Sequence, residues 1–181
     1  MIRATSTRTT ASSTNRPGLH TATLLAALAL AALLPSLALG RVGKGGQQMA
    51  LTIEEKNKAL VLEAFDTLFN KRDYVAAERF WSPNYIQHSA HIAPGREGLF
   101  NLIKSIPPTL KYEPGVIVAN EDFVIVHGRF SGFEQPVNWI AADIVRIKDG
   151  ILVEHWDVIQ DEATQEQSKS GLPMFGDAFP K

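Results

Sequence analysis

The stretch Ala141–Asp161, AADIVRIKDGILVEHWDVIQD, decides the fold. Two runs rich in Val and Ile flank Lys148-Asp149-Gly150, so it reads as a β-hairpin whose turn sets which side chains share a face. A two-residue Asp149-Gly150 loop pairs Lys148 with Ile151 and puts Arg146 and Lys148 beside Val153, His155 and Asp157. That face is incoherent. A three-residue loop with a bulged, left-handed Gly150 pairs Ile147 with Ile151, Val145 with Val153, Asp143 with His155 and Ala141 with Asp157. In this expected register Arg146, Lys148 and Glu154 point one way. Asp143, His155 and Asp157 point the other, on an otherwise apolar face that includes Trp139. Buried ionisable groups are costly unless paired. The three are therefore either a satisfied Asp-His pair in a core or the floor of a pocket that holds a perturbed carboxylate beside an imidazole.

The chain has 181 residues, 45% hydrophobic and 20% charged, enough for one domain with its own core. Its first 48 residues differ in kind, with five basic residues, no acid and an Ala/Leu run over 22–34, interrupted only by Thr23, that Pro35 ends. The run has the length of a signal-peptide hydrophobic region, and cleavage after Gly40 fits, giving a secreted or periplasmic protein. An organelle transit peptide and a true start at Met49, leaving a cytoplasmic protein, are the alternatives. Without the leader, 13 basic residues face 19 acidic ones, about −6. No basic stripe is left for nucleic acid, and apart from the leader nothing suggests a membrane. Cysteine is absent, which removes disulfides, thiol nucleophiles and thiolate metal sites.

Thr52-Ile53-Glu54-Glu55 has the capping-box pattern, and apolar positions Leu60, Val61, Ala64, Phe65 and Leu68 predict a helix from about Ile53 to Asn70. Asp73 caps a short second helix through about Phe80 and Trp81, followed by an extended Tyr85-Ile86-Gln87-His88. A third helix runs from about Arg96 to Ile106, and Pro107-Pro108 stops it. Strands are expected over 110–119, 123–131, 137–148 and 151–160, with Phe123, Ile125 and His127 sharing one face of the second. This is an α+β plan: a cone-shaped barrel of curved antiparallel sheet closed by three N-terminal helices. The domain is read as 49–162, with 163–181 a loosely packed arm. Ile140, Ala142, Ile144, Leu152, Trp156 and Val158 form an apolar outer surface, which predicts a sheet-to-sheet homodimer.

The order of elements, Ser-Pro-Asn-Tyr-Ile-Gln-His at 82–88, Gly-Arg-Glu-Gly at 95–98 and the DIVRIKDGILVEHWD run at 143–157 resemble the SnoaL-like branch of the nuclear-transport-factor-2-like superfamily. The resemblance covers about Thr52–Asp161. In the polyketide cyclases of that branch it implies an intramolecular aldol condensation without metal or cofactor, with an acid/base aspartate that falls on Asp157. A cyclase asparagine falls on Gln87, which makes it a substrate-binding group. Two strand positions holding glutamine and histidine fall on Ala141 and Asp143, a departure in the groups that hold an aromatic polyketide's oxygens.

The chemistry expected of the site is proton transfer at carbon next to a carbonyl, with aldol condensation or cyclisation as its outcome and a small hydrophobic carbonyl compound as substrate. A carboxylate in an apolar cone is a better base, and Asp157 takes that role. His88 or His127 holds the enolate oxygen, worth roughly 3–4 kcal/mol if preorganised. His155 stands behind, its tautomer fixed by Asp143, and Tyr85 and Trp139 line the wall. No cofactor or metal is assigned, since no ligand pair sits at a helical spacing that the local structure supports; convergence of histidines and carboxylates on zinc or iron is a minor alternative. The rival reading from another class is a non-catalytic module that binds a small ligand or dimerises.

Overall fold

The computed structural model describes residues 50–180. The expected leader and its cleavage site lie outside them. Helix α1, Ile53–Phe65, opens on a complete capping box in which Thr52 Oγ1 accepts from the Glu55 N–H and Glu55 accepts from the Thr52 N–H. It runs on as a π-helical turn, Asp66–Asn70, with Lys71 N–H reaching Asp66 O. The wider turn places Phe69 as well as Phe65 and Leu68 in the core, the two phenyl rings edge to face at 5.1 Å.

The second helix, α2, is only Tyr74–Ala77, capped by Asp73. Trp81 does not end a helix as expected; it begins strand β1, Trp81–Gln87, because Pro83 fits an edge strand and cannot continue a helix. Helix α3, Gly95–Ser105, follows, with Leu99, Phe100 and Ile103 buried. Gly98 lies so close to the chain before it that a Cβ would sit 2.0 Å from Ala93 O. The other strands are β2, Lys111–Asn120; β3, Phe123–Ser131; β4, Trp139–Lys148; and β5, Ile151–Asp161.

These form one curved, unclosed sheet in the order β1-β5-β4-β3-β2, with the helices gathered on its inner side. Strands β2 to β5 are antiparallel and β1 adds to the edge parallel to β5. The fold is the α+β cone expected.

The hairpin turn differs from expectation. Lys148 pairs with Ile151 across a two-residue turn in which Asp149 and Gly150 have φ of 52° and 74°, and the bulge falls at Val153 instead. Beyond it Val145 faces His155 and Asp143 faces Asp157. The extra residue restores the phase that a two-residue turn alone would lose. Asp143, His155 and Asp157 share the inner face after all, but Leu152 rather than Ile151 fills the core at the tip.

One connection was invisible in the sequence. The Arg72 guanidinium donates to the carbonyls of Ile103, Ile106 and Pro107 at 2.7, 2.9 and 3.2 Å, closing the C-terminal end of α3, whose last carbonyls have no helical partner. Arg72→Ala is expected to cost about 2–3 kcal/mol, read as a lower urea midpoint at unchanged slope.

The tail has no helix or strand, yet it is tied to the sheet. Arg129 lies 4.6 Å from the centre of the Phe175 ring and pairs with buried Glu162 at the end of β5. His127, on the outer face of β3, lies 5.8 Å from the same ring.

Candidate active site

Between α1, its π turn, α3 and the inner face of the sheet lies a cavity of about 80 Å³. Its walls are mostly aromatic and aliphatic, among them Phe65, Phe69, Trp81, Phe130 and Trp139, with Tyr85 also lining it. Against that greasy wall stand Asp143, His155 and Asp157, whose donor atoms all lie within 4.8 Å of one another. One carboxylate or imidazole atom from each could together hold a divalent cation.

The three differ in how they are held. Asp143 and His155 are each 5% exposed, and His155 Nε2 lies 3.1 Å from Asp143 Oδ1. His155 Nδ1 donates to Gln87 Oε1 at 2.8 Å, and the same oxygen accepts the Ser89 N–H at 2.9 Å. Asp143 Oδ2 is buried without a partner among the described residues. Asp157 is half-buried, lines the cavity, and makes no side-chain hydrogen bond to a described residue. Burial raises the Asp143 carboxyl above its ordinary value, partly offset by the hydrogen bond from His155. Burial also raises the Tyr85 hydroxyl, so that side chain stays a neutral phenol.

The direction of the Asp143 shift has a sign for stability. The neutral carboxyl favours the folded state, so its contribution is complete below the unfolded carboxyl range, near pH 4, and is lost as pH rises through the raised folded value. The Asp143→Asn side chain can donate an N–H to Nε2 as a carboxylic acid does, without titrating. The stability of the wild type relative to Asp143→Asn is therefore expected to fall from pH 4 upward, by at most about 1.4 kcal/mol per unit. Urea unfolding of both at pH 4, 6 and 8 checks this, and a constant difference contradicts it.

Of the residues expected in the site, Asp157, Asp143, His155, Tyr85 and Trp139 come together around the cavity. His88 and His127 do not. His88 is exposed on the outer side, bonded to Glu154 Oε1 at 2.9 Å and stacked on Trp156 at 4.7 Å. Gln87 faces inward, and its neighbour in an extended chain must face outward. His127 pairs with Ala142 on the outer face, because Val124 and Val126, not Phe123 and Ile125, are the buried set of β3. Gln87 contacts His155 rather than the cavity. Asp143 and His155, both expected behind the catalytic groups, line the cavity themselves, and Gln87 with Ser89 holds the imidazole from the other side. His91, whose ring lies 5.5 Å from Trp139, lines the cavity and was not singled out for it in the sequence. Its only signal was a three-residue spacing from His88, which would suit a metal pair only on a helix.

A sequence profile of the SnoaL-like domain family matches residues 61–155, just over half of the chain. The chain belongs to the SnoaL-like domain family. Among solved structures it is similar to a proposed ketosteroid isomerase from Kribbella flavida DSM 17836, at 14% identity and a TM-score of 0.56, over 72% of this chain and 100% of that one. It is also similar to a proposed SnoaL-like polyketide cyclase from Jannaschia sp. CCS1, at 18% identity and a TM-score of 0.53, over 62% and 91%. A nuclear-transport-factor-2-like protein of unknown function from Cytophaga hutchinsonii ATCC 33406 matches at 15% identity and a TM-score of 0.51, over 62% and 94%. At these identities the likeness establishes the fold. No curated protein matches the chain by sequence.

Proposed function

We propose that this chain is a small-molecule enzyme of lyase or isomerase type, which moves a proton at carbon next to a carbonyl by acid/base chemistry that requires no cofactor. The observation that carries it is the Asp157 carboxylate, which has no side-chain hydrogen-bond partner among the described residues, set beside the buried Asp143–His155 pair in an apolar cavity. Such a carboxylate has its oxygens free to take a proton from a carbon acid held against the apolar wall. The structural likeness to a proposed ketosteroid isomerase and a proposed polyketide cyclase is in keeping with this reading.

The cavity limits the substrate. At about 80 Å³ it is smaller than the roughly 150 Å³ apolar cavity that takes up benzene. A small hydrophobic ketone or aldehyde fits; a fused aromatic polyketide does not fit the cavity in this form. Incubating the protein with acetone, cyclopentanone and butanal in heavy water, and following loss of the α-proton signal, tests the proposal. Exchange above the buffer rate supports it, and none with any small carbonyl compound refutes it.

One observation favours a second reading. With His88 and His127 on the outer face, the cavity lacks both histidines expected to hold an enolate oxygen. A non-catalytic module that captures a small apolar ligand needs neither. Binding of these carbonyl compounds without exchange would select it.

For the outer face we propose a homodimer. Val118, Ile125, Ile144 and Trp156 lie in one cross-strand row, with Val158 at 68% exposure on the same face. Leu152, expected there, is in the core because of the Val153 bulge, and Ile140, though in the outward register, is buried rather than exposed. Light scattering at micromolar concentration is expected to give a dimer, and Ile125→Lys with Val158→Lys a monomer. A monomeric wild type refutes it.

A further inference from the structure

We infer that Asp143 and His155 hold one transferable proton between them, and that this pair is the acid that protonates the carbonyl oxygen while Asp157 takes the α-proton. Gln87 is the positioning residue that fixes the arrangement. This rests on the enzymatic reading above and supplies the acid that His88 and His127 cannot.

The inference follows from counting hydrogens. A main-chain N–H only donates, so the Gln87 atom 2.9 Å from Ser89 N is the amide oxygen. The same oxygen lies 2.8 Å from His155 Nδ1, which must therefore carry a hydrogen. On a neutral ring that leaves Nε2 with a lone pair, 3.1 Å from a carboxyl oxygen of Asp143. Without a proton between them, two acceptors would face each other where both side chains are 5% exposed. A second proton would instead leave a net positive charge on the buried pair, with only the half-buried Asp157 carboxylate nearby, not hydrogen-bonded to it, to offset the charge. One proton satisfies the contact, whether drawn as carboxylic acid and imidazole or as carboxylate and imidazolium.

The step then balances. The α-C–H bond breaks and its proton forms an O–H bond on Asp157, the bonding pair becomes the C=C of the enol, and the carbonyl π pair moves to oxygen. That oxygen takes the proton of the pair. The site ends with Asp157 protonated, Asp143 a carboxylate and His155 neutral, still donating to Gln87, so its net charge is unchanged. Asp143 Oδ2, unpartnered among the described residues, is then available to accept the new enol O–H. Returning both protons with the enol reprotonated at another carbon gives isomerisation; attack of the enol carbon on a second carbonyl gives the aldol product.

The test is NMR of the full chain with 15N-labelled histidine and 13C-labelled aspartate at pH 7. The expected result is a protonated His155 Nδ1 and a single proton shared by Nε2 and the Asp143 carboxyl. An unprotonated Nδ1 overturns the inference, as does a count of none or two on the pair, whatever the activity. In the exchange assay Gln87→Leu is expected to lose about 10–100-fold and to shift the pH profile. Gln87→Glu, which still accepts from both donors, is expected to recover most of the rate. A Gln87→Leu protein with the wild-type rate and pH profile overturns the positioning role. The one-proton pair in a protein that exchanges no α-proton refutes its use as an acid and leaves the proton count standing, so failure of the enzymatic reading is told apart from failure of the inference.

Discussion

Asp157→Asn is expected to lower α-proton exchange by roughly 10²–10⁴-fold, the range for removing a positioned general base, while the protein stays folded. The two side chains have nearly the same shape, and Asp157 makes no side-chain hydrogen bond to a described residue whose loss would disturb the wall. Asp143 cannot take the same role, since its Oδ1 is committed to His155 and its charged form is disfavoured by burial. Far-ultraviolet circular dichroism and the urea midpoint establish that the variant is folded, and the exchange rate then reports on the carboxylate alone. An Asn variant as active as the wild type disposes of the base.

The second large effect is on stability. Glu162→Ala is expected to cost about 3–5 kcal/mol, the loss seen when one member of a buried ion pair is removed. Glu162 is 3% exposed and accepts from Arg129 Nε at 3.1 Å, from Arg129 Nη2, and from Asn138 Nδ2 at 2.8 Å. Its own N–H donates to Asn138 O at 2.9 Å, which joins the end of β5 to the connection before β4. Truncation strands the Arg129 guanidinium, whose remaining neighbours are the Phe175 ring and main-chain carbonyl. The urea midpoint of Glu162→Ala should fall at constant slope. Replacing Arg129 and Glu162 together by leucine should cost less than Glu162→Ala alone. A double variant worse than the single one would mean that the pair stabilises beyond satisfying its own charges.

Periodicity and capping located most elements because each signal was local. The Thr52–Glu55 box and the Val61, Ala64, Phe65, Leu68 stripe specify α1 without help from elsewhere. The histidines were misplaced because this sheet is apolar on both sides. In β3, Phe123 and Ile125 are as hydrophobic as Val124 and Val126, so alternation divides the strand into two faces without saying which is inward. Asp143, His155 and Asp157 were placed together because charge separates the faces of the closing hairpin, with Arg146 and Glu154 on one side. Gln87 against His155, Arg72 on the end of α3 and Arg129 against Glu162 join positions 68, 31 to 35 and 33 residues apart. No local pattern announces such partners.

The bulge at Val153 also separates two jobs within one hairpin. Everything beyond it towards the tip obeys the geometry of the Asp149-Gly150 corner, whereas everything behind it obeys the requirements of the cavity. The corner can thus be recut, shortened or grafted with another loop without moving the reactive groups, so long as that one spare residue remains. Val153 works as a clutch between an editable end and a fixed one.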